Sequence, residues 1–143
     1  LTAFIPMLMD TGGNSGSQAC VSIIRGISLN EIQFRDIGRV VWKEIRVSVL
    51  CGICLAVACF AKIVLVDMLL LKSESVTYMV AFVVCVTMAV TVCLAKMVGS
   101  TLPLLAKKLG FDPAVMASPI ITTIVDFLSL LVYFAFATSI LPI

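Results

Sequence analysis

The chain has 143 residues, of which 62 % are hydrophobic and 13 % are charged, and its net charge is +2. A soluble domain is typically about 45–50 % apolar and about 25 % charged, so a soluble chain of this size could not keep so much apolar surface from water. The composition excludes a soluble enzyme. The small net charge and the lack of a basic tract interleaved with aromatics give no reason to expect nucleic acid as a partner.

The side chains available for chemistry are limited. The sequence has no histidine, so a Ser-His or Cys-His nucleophile and a histidine-based zinc or iron site are impossible within it. All six cysteines lie in apolar runs. Cys51 and Cys54 have the spacing of a redox or zinc pair, but no second pair accompanies them. We therefore expect both cysteines to act as small hydrophobic side chains within a helix.

Four stretches are long and apolar enough to cross a bilayer as helices, since a core of about 30 Å needs about 20 residues. The predicted fold is therefore an all-α membrane protein, a helical bundle of about four spans with residues 1–143 forming one transmembrane domain. The second and third spans are almost free of charge, whereas the first is polar in its middle. The predicted spans are residues 1–24, 46–66, 76–95 and 114–141.

The first connection carries a helix signal and a basic strip. Ser28 and Glu31 have the spacing of a capping box, which predicts the start of a short helix. Four cations follow at spacings that place them on one helical face, and this face is interpreted as a solvated surface or a strip that binds lipid headgroups. They are Arg35, Arg39, Lys43 and Arg46.

The third connection contains the signals of one helix ending and another beginning. Gly99 and Pro103 predict a kink or an end of the third span. Two lysines and a glycine are typical of a helix C-terminus, and an Asp-Pro pair is typical of the start of the next helix. These residues are Lys107, Lys108, Gly110, Asp112 and Pro113.

Positive charge alternates between the connections, with five, one and three Lys or Arg residues, Lys96 being counted in the third. The positive-inside rule then places the first and third connections in the cytoplasm and both ends of the chain outside. Because the chain starts with Leu1, we expect it to be part of a longer, multi-pass protein of the plasma membrane. An odd number of spans, most simply one, would precede it.

Asp126 lies near the middle of the last predicted span. A charge at that depth costs at least about 2.5–3.5 kcal/mol, so it usually faces a bundle interior or a pathway. A protonated acid or a helix–helix hydrogen bond is the alternative. Its neighbours at helical spacing form a polar stripe, which consists of Ser118, Thr122, Asp126, Ser129 and Tyr133.

The first span offers a matching polar face. Asp10 and Asn14 are four residues apart and therefore share one side of a helix. Gly12 and Gly16 form a GxxxG pair that allows another helix to approach closely. Pro6 and the two consecutive glycines are also expected to loosen the helix and free backbone carbonyls.

The polar groups in the spans are hard oxygen ligands, which favour Mg²⁺, Ca²⁺ or a similar cation. One carboxylate per chain is too little charge for a cage. Two chains around a two-fold axis would bring two Asp126 side chains together, and a divalent ion would relieve their repulsion.

Several segments resemble the MgtE magnesium channels and transporters and their eukaryotic solute-carrier relatives. They run in the family's order over almost the whole chain. The matching segments are residues 6–18 (PMLMDTGGNSGSQ), 25–26 (RG), 99–103 (GSTLP), 112–114 (DPA) and 119–126 (PIITTIVD).

The resemblance implies an ion-conducting domain of five spans that forms a homodimer, with hydrated Mg²⁺ permeating between the second and fifth spans of both chains. The first of these five family spans would precede residues 1–24 and be missing from this chain, as would the cytoplasmic N and CBS regulatory domains. Mn²⁺, Co²⁺ or Ca²⁺ are possible surrogate ions. The implied metal site consists of Asp126, Thr122, Ser118, Asn14 and Asp10. Asp10 is acidic where many relatives are expected to have a small residue.

Two alternatives to a channel remain at this point. A secondary transporter would exchange Mg²⁺ against Na⁺ or H⁺ through the same carboxylate. An intramembrane enzyme is the remote alternative, because Gly13, Ser15 and Gly16 fit the GxSG pattern of membrane serine proteases. The absence of histidine leaves that serine without its usual base.

Overall fold

The computed structural model describes residues 2–70, 76–116 and 119–141, and within these ranges it contains helices and no strand. The predicted all-α bundle is confirmed. Short 3₁₀ turns cover Thr2–Phe4, Phe34–Asp36 and Pro113–Met116, and a π-helical segment, Ile63–Leu70, extends the second helix. The four long helices are α1 (Ile5–Ser28), α2 (Ile37–Lys62), α3 (Tyr78–Lys108) and α4 (Pro119–Ile140).

Within the described residues, three helical segments are long and apolar enough to cross a membrane, namely Phe34–Asp67, Tyr78–Lys108 and Pro119–Ile140. At 1.5 Å per residue the 24-residue α1 is about 36 Å long, which is enough for a bilayer core of about 30 Å. Its polar middle distinguishes it from the others, as the sequence indicated, and its role as a span remains a prediction.

Helix α3 is the centre of the bundle and packs against α1, α2 and α4. It is apolar around most of its circumference, which is typical of a helix buried by its neighbours. Val83, Val84 and Val92 are fully buried, and with Leu8 of α1 and Tyr133 of α4 they belong to the bundle core.

The outer surface of the bundle is also apolar. Large hydrophobic side chains are exposed on α2 and α4, among them Leu50, Val57, Phe127 and Leu131. Exposed apolar patches of this extent mark a membrane or protein contact, and on apolar helices of this length lipid is the natural solvent.

Helices α1 and α3 cross at two glycines. A Cβ added to Gly99 would overlap the carbonyl oxygen of Gly16. The predicted close approach at the GxxxG pair is therefore confirmed, since Gly12 also faces α3 through the Thr91 methyl group.

The prediction that Pro6 and the glycine pair loosen the first span is wrong, because α1 is continuous from Ile5 to Ser28. Pro6 lies in the first turn, where a missing N–H breaks no helical hydrogen bond. Side chains of other helices occupy the space beside both glycines, so the two residues lie in tight helix packing.

The third span does not end near Lys96, as the sequence had indicated, but continues through Gly99 and Pro103 to Lys108. The Thr101 hydroxyl donates to the Met97 carbonyl at 2.8 Å, which supports the turn before the proline. The helix does end as predicted, with two lysines in its last turn and Gly110 at a φ of +81°.

The predicted capping box at Ser28 and Glu31 is also wrong. Ser28 is the last residue of α1, and its hydroxyl donates to the Ile24 carbonyl at 2.9 Å. The capping box lies five residues further on, between Gln33 and Asp36. The four predicted cations are exposed on the turn and helix that follow, so they do form one surface strip.

Candidate functional site

Asp126 lies in the first half of α4 and is half-buried against α1. A Cβ added to Gly13 would lie 3.7 Å from the carboxylate Oδ1 and 3.2 Å from the Thr122 Cγ2 atom. The carboxylate therefore packs beside the backbone of α1, and the tightest approach at Gly13 is that of the Thr122 methyl group.

The neighbouring glycine has a different partner. A Cβ on Gly12 would lie 3.0 Å from the Ser129 hydroxyl and 2.7 Å from the Thr91 methyl group. Gly12 thus joins α1 to the interior of the bundle, whereas Gly13 faces the edge where Asp126 is found. Consecutive glycines let α3 and α4 both approach the same turn of α1.

Asp10 and Asn14 are exposed on the side of α1 adjacent to the one that faces Asp126. Together with Gln18 they line a groove of about 430 Å³ whose other wall includes Cys51 and Lys96. Asp126 packs against Gly13, which lies between Asp10 and Asn14 in the same helix. The predicted pairing of a carboxylate and an amide from α1 with the carboxylate of α4 is thus compatible with the packing.

The remaining predicted site residues divide into described and undescribed ones. The Thr122 hydroxyl donates to the Pro119 carbonyl at 3.0 Å, one turn from Asp126. Ser118 lies outside the described residues. Ser129 and Tyr133 are buried in the bundle, so the polar stripe predicted on the last span divides into an edge part and an interior part.

Within the described ranges no group of three or more His, Cys, Asp or Glu residues could hold a metal ion. Asp126 and Asp10 are therefore the acidic groups available to a cation here, supplemented by amide and hydroxyl oxygens. None of the six cysteines forms a disulfide. Cys51 and Cys54 lie in apolar α2, as predicted.

Helices α2 and α3 are also joined by a buried ion pair that was not predicted from the sequence. Lys96 of α3 lies 3.9 Å from Glu44 of α2, and each side chain is 11 % exposed. A signal for it exists in the helical register, because both residues fall on the buried faces of their helices. Val92, Ser100 and Leu104 are buried in line with Lys96, and Val40 and Ser48 are buried in line with Glu44.

The family model MgtE, described as a divalent cation transporter, matches residues 5–136. The chain belongs to the MgtE family. It is similar to proteins named magnesium transporter MgtE from Bacillus subtilis, with 34 % identity over 97 % of this chain, and from Thermus thermophilus, with 34 % over 99 %. A third magnesium transporter MgtE, from Enterococcus faecalis, is 30 % identical over 96 % of the chain.

The chain spans 29 % of the length of each of these curated MgtE relatives. MgtE proteins are membrane transporters and not enzymes, so the intramembrane protease alternative fails. This membership agrees with the resemblance carried by the Gly-Gly-Asn and Thr-Thr-x-x-Asp segments.

Proposed function

We propose that this MgtE domain carries Mg²⁺ across the plasma membrane by channel-like permeation, with Asp126 as the cation-binding carboxylate. The observation that carries the proposal is the position of Asp126, as the charged residue of the membrane-length helix α4, beside the glycine pair of α1. An ionisable group there is expensive unless it faces a pathway. The relatives named magnesium transporters support the choice of ion.

A second copy of the chain would complete the path. In one chain Asp10 and Asn14 are exposed and Asp126 is only half-buried, although all three lie on membrane-length helices. Two-fold symmetry would bring these polar faces together and away from lipid. Two Asp126 carboxylates across the axis would then share one divalent ion, which offsets their repulsion.

The ligand types suit an ion that keeps most of its water. Mg²⁺ sheds water reluctantly and is usually held by one or two carboxylates, with waters filling the other positions. Other oxygen-bearing side chains, from α1 and from the same end of α4 as Asp126, would then contact those waters. We infer that Asn14, Thr122, Ser118 and Asp10 play this part, and that Mn²⁺, Co²⁺ or Ca²⁺ can act as surrogates.

The basic strip supports an orientation. Arg35, Arg39, Lys43 and Arg46 are exposed near the start of α2, and Lys107 and Lys108 end α3. The positive-inside rule places both regions on the cytoplasmic side, where the N and CBS regulatory domains of a full-length protein would lie. Lys96 was counted with the third connection from the sequence, but it is buried in α3 and does not add to the positive charge of that connection.

The test is Mg²⁺ uptake by the full-length protein in cells that lack other magnesium systems. We expect Asp126→Asn to reduce uptake at least ten-fold, because removing the charge at a desolvated cation site costs about 1.4 kcal/mol or more. Glu31→Gln is the matched control, since Glu31 is an exposed carboxylate in the connection between α1 and α2. Unimpaired uptake by Asp126→Asn would refute the site.

Reconstituted vesicles separate the channel from the exchanger. A channel takes up Mg²⁺ down its own gradient with no Na⁺ or H⁺ gradient present. If uptake requires a counter-gradient of either ion, the channel proposal is wrong and Asp126 belongs to a secondary transporter.

A further inference from the structure

The ion pair between Glu44 and Lys96 is buried within the bundle, at 3.9 Å between Oε2 and Nζ. Removing two charges from water costs more than their mutual attraction returns unless the geometry is very good. A separation of 3.9 Å exceeds a direct hydrogen bond, so this pair is not optimised for stability. The pair is therefore weak evidence for a stabilising role.

Lys96 also lines the polar groove of α1. The groove of about 430 Å³ has Asp10, Asn14 and Gln18 along one wall and Lys96 on the other. Lys96 is thus the member of the pair that borders the same space as the oxygen-bearing side chains of the proposed cation path. Glu44 does not line the groove and contacts the lysine from α2.

We propose that Lys96 is a specificity-determining residue of the cation path, and that its positive charge, partly offset by Glu44, lowers the affinity of the groove for divalent cations. The inference depends on the proposed Mg²⁺ transport. Because Lys96 lines the groove and Glu44 does not, a cation in the groove meets the lysine side chain before the carboxylate. The pair would thereby keep a second divalent ion from stopping in the groove beside Asp10 and leave Asp126 as the principal binding carboxylate.

The size of the effect follows from Coulomb's law. With an effective dielectric constant of about 20, a unit charge roughly 10 Å from a divalent ion changes its affinity by on the order of 100-fold. A carboxylate about 4 Å behind the lysine cancels most of this effect, which leaves a net reduction of about five-fold. Neutralising both residues therefore raises the affinity modestly, and neutralising the lysine alone raises it strongly.

The experiment measures the Mg²⁺ concentration that gives half-maximal uptake into vesicles containing the full-length protein. We expect Lys96→Met to lower this concentration at least ten-fold compared with Lys96→Arg, which keeps the charge. Glu44→Gln should change it in the opposite direction, because the ammonium is then uncompensated. Equal values for Lys96→Met and Lys96→Arg, or a higher value for Lys96→Met, would overturn the inference.

A double variant guards against misfolding, since removing one member of a buried pair leaves an unpaired charge. Glu44→Gln combined with Lys96→Met leaves no buried charge and should lower the half-maximal concentration about five-fold below the wild type. A value equal to the wild type would overturn the role of Lys96. If the wild type fails to take up Mg²⁺, or if Asp126→Asn has no effect, the proposed function fails instead.

Discussion

The crossing of α1 and α3 can be tested by adding one methyl group at Gly99. A Cβ there would overlap the Gly16 carbonyl oxygen and would lie 2.9 Å from the Gly16 carbonyl carbon and 3.1 Å from its Cα. The obstructing atoms are all backbone, so no side chain can rotate away. Helices α1 and α3 would have to separate along the interface that joins the candidate site to the centre of the bundle.

The cost of Gly99→Ala can be bounded. Overpacking a tight interior typically costs about 1–3 kcal/mol, and a gap of about 0.5–1 Å removes a quarter to a half of the dispersion energy of the contacts it opens. We expect the upper end, about 3 kcal/mol, because only helix displacement relieves the overlap. The better helix propensity of alanine returns about 0.5–1 kcal/mol, which leaves a net destabilisation of about 2 kcal/mol.

Gly38→Ala is the matched control, because a Cβ there meets nothing within 4 Å. It makes the same chemical change in a helix and should be neutral or slightly stabilising. The assay is the loss of the monodisperse peak of detergent-purified protein on heating. At about 4 °C per kcal/mol we expect the two variants to differ by about 10 °C. Melting temperatures within about 2 °C of each other would refute the close crossing.

Two further substitutions test the contact between Gly13 and α4 and the ion pair at the C-terminal end of α2. Gly13→Ala should raise the Mg²⁺ concentration for half-maximal uptake with under about 1 kcal/mol of destabilisation, because the new Cβ meets Thr122 at 3.2 Å and Asp126 at 3.7 Å. Unchanged uptake would separate the glycine from the cation site. Lys62→Met breaks an ion pair with Asp67 at 2.7 Å whose lysine is 46 % exposed. We expect less than about 1 kcal/mol and a melting shift under about 4 °C, and a larger shift would contradict this.

The helices themselves were predictable because length and apolarity determine them almost without reference to their partners. The second, third and fourth predicted spans correspond to α2, α3 and α4, with large differences at two ends: α2 begins nine residues before the predicted span, and α3 continues past its predicted end. There Gly99 and Pro103 resemble a stop signal in the sequence. In the bundle the glycine is required by the contact with Gly16, and the proline is buried inside a continuous helix.

Lys96 shows why the charged positions were harder to place. In a linear reading, a lysine after twenty uncharged residues marks the end of a span, since long cations usually reach the membrane surface. Its real environment depends on Glu44, which is 52 positions away in the sequence and meets it only when α2 and α3 pack. No local sequence pattern around Lys96 indicates that Glu44 is its partner. The buried register of both helices was the available signal, and it becomes readable only when two helices are considered together.

Asp126 could be singled out as a candidate site residue from the sequence because a carboxylate in an apolar span is anomalous in any packing arrangement. Which side of α1 it meets was not predictable, because Gly12 and Gly13 are chemically identical and one residue apart. A rotation of α1 by about 100° would put one of them at the angular position of the other. The packing places Gly12 against Ser129 and Gly13 against Asp126. The carboxylate consequently lies next to the face that carries Asp10 and Asn14, and this rotation, rather than the presence of the acid, is what makes a shared cation site possible.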